Sequence, residues 1–437
     1  MTRQAGSEAP IAVEIRDLSH DGLGVADVDG RRVFVAGALP SERVLVVPRR
    51  RRRRYQDAEL VGIIQAAAER VAAPCEYFGV CGGCALQHMS YAAQVPFKQS
   101  VVAEAFARIA GIDPGLWLDP ILGPPWRYRR RARLGVKQVE AKNRVLVGFR
   151  ERAAALVTDM RHCMVLAPPM DTSLDALSEV IGASGLKRRI PQIEVAIGDA
   201  FGALVLRVLD PPEPRDESAF REFGERFDLD IYLQRGGPGT AVSIATRPRT
   251  LSYALADFGL ELEFAPTDFI QINAAVNVRM VAAAVAAAEL KPSDRVLDLY
   301  CGIGNFSLPL ARHAGLVFGV EGDAGLVARA ARNAERNGIR NARFYAADLG
   351  KPDWSFLREP WDVVVLDPPR TGAEIAVAQM AAMRPRRIVY MSCHPGTLAR
   401  DARVLSESQG YRLTTARILD MFPHTHHVEV MAIFDRA

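Results

Sequence analysis

The sequence predicts an α/β protein on three observations. In the run VLDLYCGIGNFSLPL, apolar Val296, Leu297 and Leu299 stop at Gly302-Ile303-Gly304, and Phe306, Leu308 and Leu310 follow at helical spacing, so it reads as strand, glycine turn, helix. From about residue 265, strand-like runs at 295–300, 316–320, 342–346, 361–366, 387–392 and two more near the C-terminal end alternate with helical runs such as 324–337, which Gly338 closes. That alternation means a Rossmann-like domain, a parallel sheet with helices on both faces and ligands at the carboxyl ends of its strands. Earlier, residues 10–66 alternate apolar and polar in short runs (IAVEIRDL, RRVFVAG, ERVLVV, AELVGII) parted by His20-Asp21-Gly22, Asp29-Gly30 and Leu39-Pro40, the pattern of a small OB-like β-barrel.

In chain order, the expected organisation is a flexible N-terminus at 1–9, the barrel at 10–68, a mostly β central domain at 69–264 and the Rossmann-like domain at 265–437. Residues 91–111 read as a helix ended by Gly111, and strand patterns run from Trp126 to about Phe264, interrupted by the loops PPEPRD (Pro211 to Asp216) and Gly236-Gly237-Pro238-Gly239. The chain has 437 residues, 49% of them hydrophobic and 24% charged, so two or three domains can each bury a core. No apolar run has the length of a membrane span, and the start MTRQAGSEAP lacks the apolar core of a secretory signal, so a cytoplasmic protein with no membrane partner is expected.

The net charge of +4 is modest but unevenly spread. Arg49 to Arg54 are consecutive arginines, and Arg127, Arg129, Arg130, Arg131 and Arg133 interleave with Trp126 and Tyr128. A basic stripe with aromatics is the footprint of RNA backbone contact and base stacking.

The ligand of the glycine turn follows from its surroundings. A dinucleotide fingerprint needs glycine three residues after Gly304, where Ser307 stands, which disfavours NAD. Glu321 ends the next strand, where a carboxylate accepts two bonds from ribose hydroxyls. With Asp298 and the later Asp367-Pro368-Pro369-Arg370, S-adenosylmethionine and methyl transfer become the leading reading. Cys393 ends the strand RIVYMS and opens a helix at His394-Pro395, a position from which the helix dipole is expected to lower the thiol pKa. Glu429 sits between Val428 and Val430 in the last strand, facing away from both as a candidate general base. Cys75, Cys81 and Cys84, with Gly82 and Gly83 among them and Cys163 far downstream, have the short spacing of a metal centre, and zinc and a [4Fe–4S] cluster both fit four cysteines.

The segment LSHDGLGVADVDGRRVFVAGALPSERV resembles a TRAM domain, an RNA-binding barrel. Over its whole length the sequence resembles the RNA uracil-5-methyltransferases, in the 23S rRNA branch with a TRAM domain and a four-cysteine cluster. The stretches that carry this are LSHDGLGVADVDG, CEYFGVCGGC with Cys163, DFIQIN, LDLYCGIGNFSLPLA, DPPR, SCHPGTLARD and HHVEV. The resemblance implies that Cys75, Cys81, Cys84 and Cys163 hold a [4Fe–4S] cluster. It implies that Gln271, Tyr300, Gly302, Asn305, Glu321, Asp348 and Asp367 line the S-adenosylmethionine site, that Cys393 is the nucleophile and that Glu429 is the base. A monomer acting on 23S ribosomal RNA is expected; tRNA uridine methylation and a non-catalytic RNA-binding iron–sulfur protein are the rivals. One departure is His394, where the family usually has Asn.

Overall fold

A computed structural model of the chain describes residues 9–51, 53–152, 154–351 and 359–437. The flexible N-terminus expected at 1–9 lies outside these, save for residue 9, and so does Arg52 of the arginine run. The chain condenses into two compact units, one of Met1–Lys98 with Glu151–Ala155 and Pro423–His427, the other of Gln99–Arg150, Leu156–Phe422 and Val428–Ala437. Residues 69–264 therefore contribute to both.

The first unit is built on strands β1 (Ile11–Glu14), β2 (Asp17–Leu18), β3 (Leu23–Val28), β4 (Arg31–Ala36), β5 (Arg43–Arg51) and β6 (Tyr55–Gln65). They form one sheet in the order β1-β5-β6-β4-β3-β2, antiparallel except where β4 meets β6. The period-two pattern sends Val13, Val33, Val35, Val44 and Val46 inward to a common core. Asp29 and Gly30, both at positive φ, close the β3–β4 hairpin, as its right-handed twist requires. After the sheet, the chain carries Cys75, Cys81 and Cys84 through a turn-rich stretch. An isolated bridge between Cys81 and Glu151 ties that stretch to the 151–155 segment. Helix α1 (Tyr91–Ala105) then runs into a π turn at Phe106–Ala110, and Gly111 ends it in the left-handed conformation as expected.

In the second unit, β7 (Leu116–Trp117) is followed by β8 (Arg131–Val139), β9 (Arg144–Gly148), α2 (Leu174–Ala183), β10 (Gln192–Ile197), β11 (Gly202–Arg207), α3 (Pro214–Phe227), β12 (Leu229–Gln234) and β13 (Ala241–Ser243). Strands β8 to β13 make a six-stranded sheet, β13-β12-β11-β10-β8-β9, and β14 (Leu251–Leu255) pairs with β15 (Leu260–Phe264) in a separate hairpin. Next come α4 (Ala274–Ala287), β16 (Arg295–Leu299), α5 (Ser307–Ala311), β17 (Leu316–Glu321), α6 (Ala324–Arg336), β18 (Ala342–Ala346), β19 (Val363–Leu366), α7 (Glu374–Val377), α8 (Met380–Met383), β20 (Arg387–Ser392), α9 (Pro395–Ser408), β21 (Tyr411–Leu419) and β22 (Glu429–Arg436).

These strands form an eight-stranded sheet, β18-β17-β16-β19-β20-β22-β21-β7. From β18 to β20 it is parallel, and β22 runs antiparallel between β20 and β21. The middle of the sheet is mostly apolar because both faces are covered: Val363 to Leu366 and Ile388 to Met391 are all buried. The five strands expected with bounds are present within two residues of them, and β21 and β22 are the two expected near the C-terminal end. The sheet also takes β7 as an edge strand, parallel to β21, so it recruits chain from well before residue 265. Among the described residues no helix is long and apolar enough to cross a membrane.

Candidate active site

The carboxyl edge of the parallel strands gathers most of the residues singled out above. After β16 the backbone turns through Tyr300, Gly302 and Gly304, all at positive φ. At Gly302 an added Cβ would meet nothing within 4 Å, so conformation rather than space requires glycine; at Gly304 it would stand 3.1 Å from Leu308 Cγ. Tyr300 adopts the same left-handed region at a steric cost that glycine avoids, a strain common where backbone must face a ligand. Glu321 at the end of β17 accepts from the Gly302 N–H (3.1 Å) and, through its other oxygen, from the Asp323 N–H (3.1 Å). The same carboxylate expected to meet a ribose thus also holds the glycine turn.

Behind the turn, Asp298 is fully buried. One of its oxygens accepts from the Ser307 hydroxyl, and the other has no hydrogen-bond partner. Burial, with Asp367 and Glu321 nearby, pushes Asp298 up to about 7 against the Ser307 bond. Asn305 is pinned: its Oδ1 accepts from the Tyr253 hydroxyl (2.9 Å) and from Asn277 Nδ2 (3.1 Å), and its Nδ2 donates to Asn277 Oδ1 (3.0 Å). Gln271 donates to Asp367 Oδ2 at 3.3 Å, joining the loop before α4 to the end of β19. Asp348, after β18, is exposed and accepts from the Gly350 N–H at 3.0 Å.

Register places the two catalytic candidates side by side. Ser392 of β20 pairs with Val430 of β22, so Cys393 and Glu429 occupy the next step on adjacent antiparallel strands. Glu429 is buried, and burial followed by repulsion from Asp367 raises its pKa well above the ordinary carboxylate range, with Arg370 offsetting part of the rise. Asp367 is raised too, by burial, against the bond from Gln271.

The expectation of a lowered Cys393 pKa is overturned: burial, then the charges of Glu429 and Asp367, push the thiol up to about 11, and Arg370 only partly counters them. Cys393 also stands two residues before α9, outside its N-cap rather than in its first turn, which weakens the dipole's reach. His394 is the N-cap itself, its Nδ1 accepting from the Thr397 N–H at 3.2 Å, and Pro395 occupies the first helical position. A neutral imidazole does here what an asparagine side chain does at an N-cap, which gives the departure at His394 a physical account.

The arginine stripe is largely committed to the fold. Arg127 pairs with Asp171, Arg130 with Asp199, and Arg131 and Arg133 with Glu194, while Arg129 lies over the Phe149 ring. Tyr128 is buried, so it offers no face for base stacking. In the first unit, Cys81 is buried and its sulfur accepts from the Gly83 N–H at 3.4 Å, the kind of bond that stabilises a thiolate; Cys75 and Cys84 are half-buried. Cys163 belongs to the second unit and is buried. Among the described residues no group of three or more His, Cys, Asp or Glu side chains stands ready to hold a metal ion.

Sequence reasoning passed over Tyr253, Asn277, Tyr390 and Asp401. Asp401 closes the stretch SCHPGTLARD and the other three lie outside the stretches that carry the resemblance, and each of the four matters through a partner distant in sequence.

The family description that matches is tRNA (Uracil-5-)-methyltransferase, over residues 236–350 and 355–437. A 23S rRNA (uracil(1939)-C(5))-methyltransferase RlmD of Nitrosococcus oceani is 47% identical, the match covering 99% of this chain and 98% of that one. The protein of the same description from Alkalilimnicola ehrlichii is 48% identical over 98% and 97%. Among solved structures, the Pyrococcus abyssi tRNA (uracil-54, C5)-methyltransferase in complex with S-adenosyl-L-homocysteine covers 97% of this chain and 100% of its own, with a TM-score of 0.74 and 25% identity. With near-complete coverage at this identity, and a glycine turn, Cys393 and Glu429 on one sheet edge, the chain belongs to the RNA uracil-5-methyltransferase family.

Proposed function

We propose that the protein transfers a methyl group from S-adenosylmethionine to carbon 5 of a uridine in 23S rRNA, the uridine being the one for which its bacterial relatives are named, 1939. The observation that carries this is the register of β20 and β22, whose last pair, Ser392 with Val430, puts Cys393 and Glu429 at the next step, with Asp367 and Arg370 in electrostatic reach of both. Carbon 5 of uracil is a weak nucleophile, and addition of the Cys393 sulfur to carbon 6 makes it an enolate carbon. Once carbon 5 has taken the methyl group, Glu429 removes the proton still on carbon 5, the carbon 5–carbon 6 double bond re-forms and the thiolate leaves. A thiol pushed up to about 11 must be deprotonated as it attacks, and Asp367 is a carboxylate within electrostatic reach to take that proton, leaving Glu429 unprotonated for carbon 5. Arg370 is the cation that favours both the thiolate and the Glu429 carboxylate. The target base must leave its stack to reach this edge, at a cost of a few kcal/mol.

The residues at the turn suit S-adenosylmethionine. Gly302 and Gly304 clear the backbone, Glu321 faces the position of a ribose, and the unpartnered oxygen of buried Asp298 favours a ligand carrying positive charge. When bound, the cofactor supplies an electrophilic methyl group. Gln271, Tyr300, Asn305, Asp348 and Asp367 complete the proposed site.

Cys75, Cys81 and Cys84, with Cys163 as fourth ligand, are proposed to hold a [4Fe–4S] cluster in a structural or RNA-positioning role. What supports this reading is the thiolate chemistry of the four cysteines and the Gly83 N–H that serves the Cys81 sulfur. Protein purified without oxygen should be brown and contain iron; a colourless protein with stoichiometric zinc would refute the cluster.

The barrel does not decide between rRNA and tRNA, because a tRNA enzyme matches 97% of the chain. Identity favours rRNA, at 47% against 25%. Labelled S-adenosylmethionine with 23S rRNA and, separately, tRNA should label only the first, and label confined to tRNA would overturn the assignment. The work is assigned to the cytoplasm, where ribosomal RNA is made.

A further inference from the structure

Helix α9 reaches the loop that leaves β19 with three side chains. Thr397 Oγ1 donates to the Arg370 carbonyl (3.2 Å), Arg400 Nη2 donates to the Thr371 carbonyl (3.0 Å), and Asp401 Oδ2 accepts from the Ala373 N–H (2.7 Å). Asp401 has no solvent exposure, and it also accepts from the Tyr390 hydroxyl (2.6 Å) and from Arg400 Nε (2.9 Å). Tyr390 precedes Cys393 by three residues on β20. The loop lies flush on the helix: at Gly372 an added Cβ would stand 2.7 Å from both Arg400 Nη2 and Asp401 Oδ2, and φ there is +78°. One buried carboxylate therefore joins the strand that ends at Cys393, the helix that follows it and the loop that carries Asp367 and Arg370.

We infer that Asp401 is a positioning residue for methyl transfer, fixing the Arg370-bearing loop at its working distance from Cys393 and Glu429. The inference rests on Cys393 being the nucleophile. Asp367 is held independently at the end of β19 by the Gln271 bond, so releasing the far end of the loop moves Arg370 more than Asp367. Arg370 acts on both Cys393 and Glu429, and a displacement of about 1 Å at a reacting centre costs on the order of 10²-fold in rate. Asp401→Asn keeps the shape but turns one acceptor oxygen into an N–H group facing a donor: at the Oδ2 position it loses Ala373 and Tyr390, and at the Oδ1 position it confronts the Arg400 guanidinium that holds the Thr371 carbonyl, so in either orientation the loop loses support.

The test uses full-length protein and a 5-fluorouridine RNA oligonucleotide, following the rate at which protein and RNA become inseparable on a denaturing gel, together with the KM for S-adenosylmethionine in normal turnover. Asp401→Asn should slow adduct formation and kcat at least tenfold while leaving that KM within about twofold. Tyr390→Phe, which removes one donor from the same carboxylate, should slow both by a smaller factor and keeps the test alive if Asp401→Asn does not fold. Adduct formation at the wild-type rate in folded Asp401→Asn, or in Tyr390→Phe when that is the only folded variant, would overturn the inference. So would a KM that rises in step with the lost rate, the mark of general damage to the domain. Absence of an adduct in the wild type would instead remove Cys393 as nucleophile, and the inference with it.

Discussion

Two buried glutamates, one in each unit, have opposite electrostatics. Glu42 is fully buried beside the barrel, yet it accepts from the Leu39 N–H (2.8 Å), the Ala67 N–H (3.2 Å) and the Arg70 guanidinium. Burial alone would raise its pKa, but those bonds outweigh burial and hold it below the ordinary range. Glu429 is equally buried but has no ion pair among the described residues, and Asp367 beside it raises its pKa further. A buried carboxylate whose partners come from its own fold is scaffolding. One left against another carboxylate is poised for a proton, a cationic ligand or both.

The largest effects should come from the unbalanced side. Cys393→Ala should abolish methylation and the 5-fluorouridine adduct. Glu429→Gln should cut turnover by about 10²–10⁴-fold while still forming the thioether, so protein and RNA migrate together on a denaturing gel. Retained methylation in Cys393→Ala, or normal turnover without a trapped species in Glu429→Gln, would show that the two residues have other roles.

On the balanced side, Glu42→Gln should cost about 3–5 kcal/mol of stability, because it strands Arg70 at a buried site, while methyl transfer per folded molecule stays at the wild-type level. Denaturant unfolding and a titrated rate assay separate the two quantities. The depressed Glu42 pKa contributes stability that is present above the ordinary carboxylate range and lost as pH falls through its folded value. The gap between wild type and variant should therefore narrow in acid.

Asp298 should behave in the opposite sense. Its folded pKa of about 7 lies above the ordinary aspartate range that the unfolded chain shows, so the native state keeps a proton that the unfolded chain gives up, and stability falls as pH rises between the two. A shift of about three pH units at ~1.4 kcal/mol each bounds the loss at about 4 kcal/mol. Asp298→Asn cannot ionise. It should flatten the pH dependence of unfolding without cofactor, gain on the wild type at pH 8, and bind S-adenosylmethionine more weakly there. An unchanged pH profile would mean that Asp298 does not titrate in this window.

Much of this was legible in the sequence because it is local. Strand alternation, the glycine turn, the stop at Gly338 and the placement of Cys393 after an apolar strand all depend on neighbours within a few residues, and each is where the pattern put it. What the sequence withheld was pairing across distance. Nothing near Cys393 in sequence announces its burial or the charges of Glu429 and Asp367 beside it. Nothing near Asp401 announces Ala373 and Tyr390 as its donors. Composition also left out the partners of the arginine stripe, since Asp171, Asp199 and Glu194 stand beside Arg127, Arg130 and Arg133.

The smallest expected effect tests that last point. Arg133 is 70% exposed and 3.0 Å from Glu194, which also faces Arg131, so the two arginines and one carboxylate leave a single net positive charge. An exposed pair of this kind is worth less than about 1 kcal/mol, and Arg133→Ala should barely move the unfolding midpoint. A free arginine on an RNA phosphate would lower the slope of log K against log salt by about one when removed. Arg133 is half-neutralised by Glu194 before any RNA arrives, so its loss should lower the slope by less than that and weaken RNA binding less than about threefold. If the slope falls by a full unit, Glu194 yields its partner to phosphate and the stripe is an RNA footprint after all. If it does not move, β8 belongs with Glu42 on the scaffolding side of the comparison.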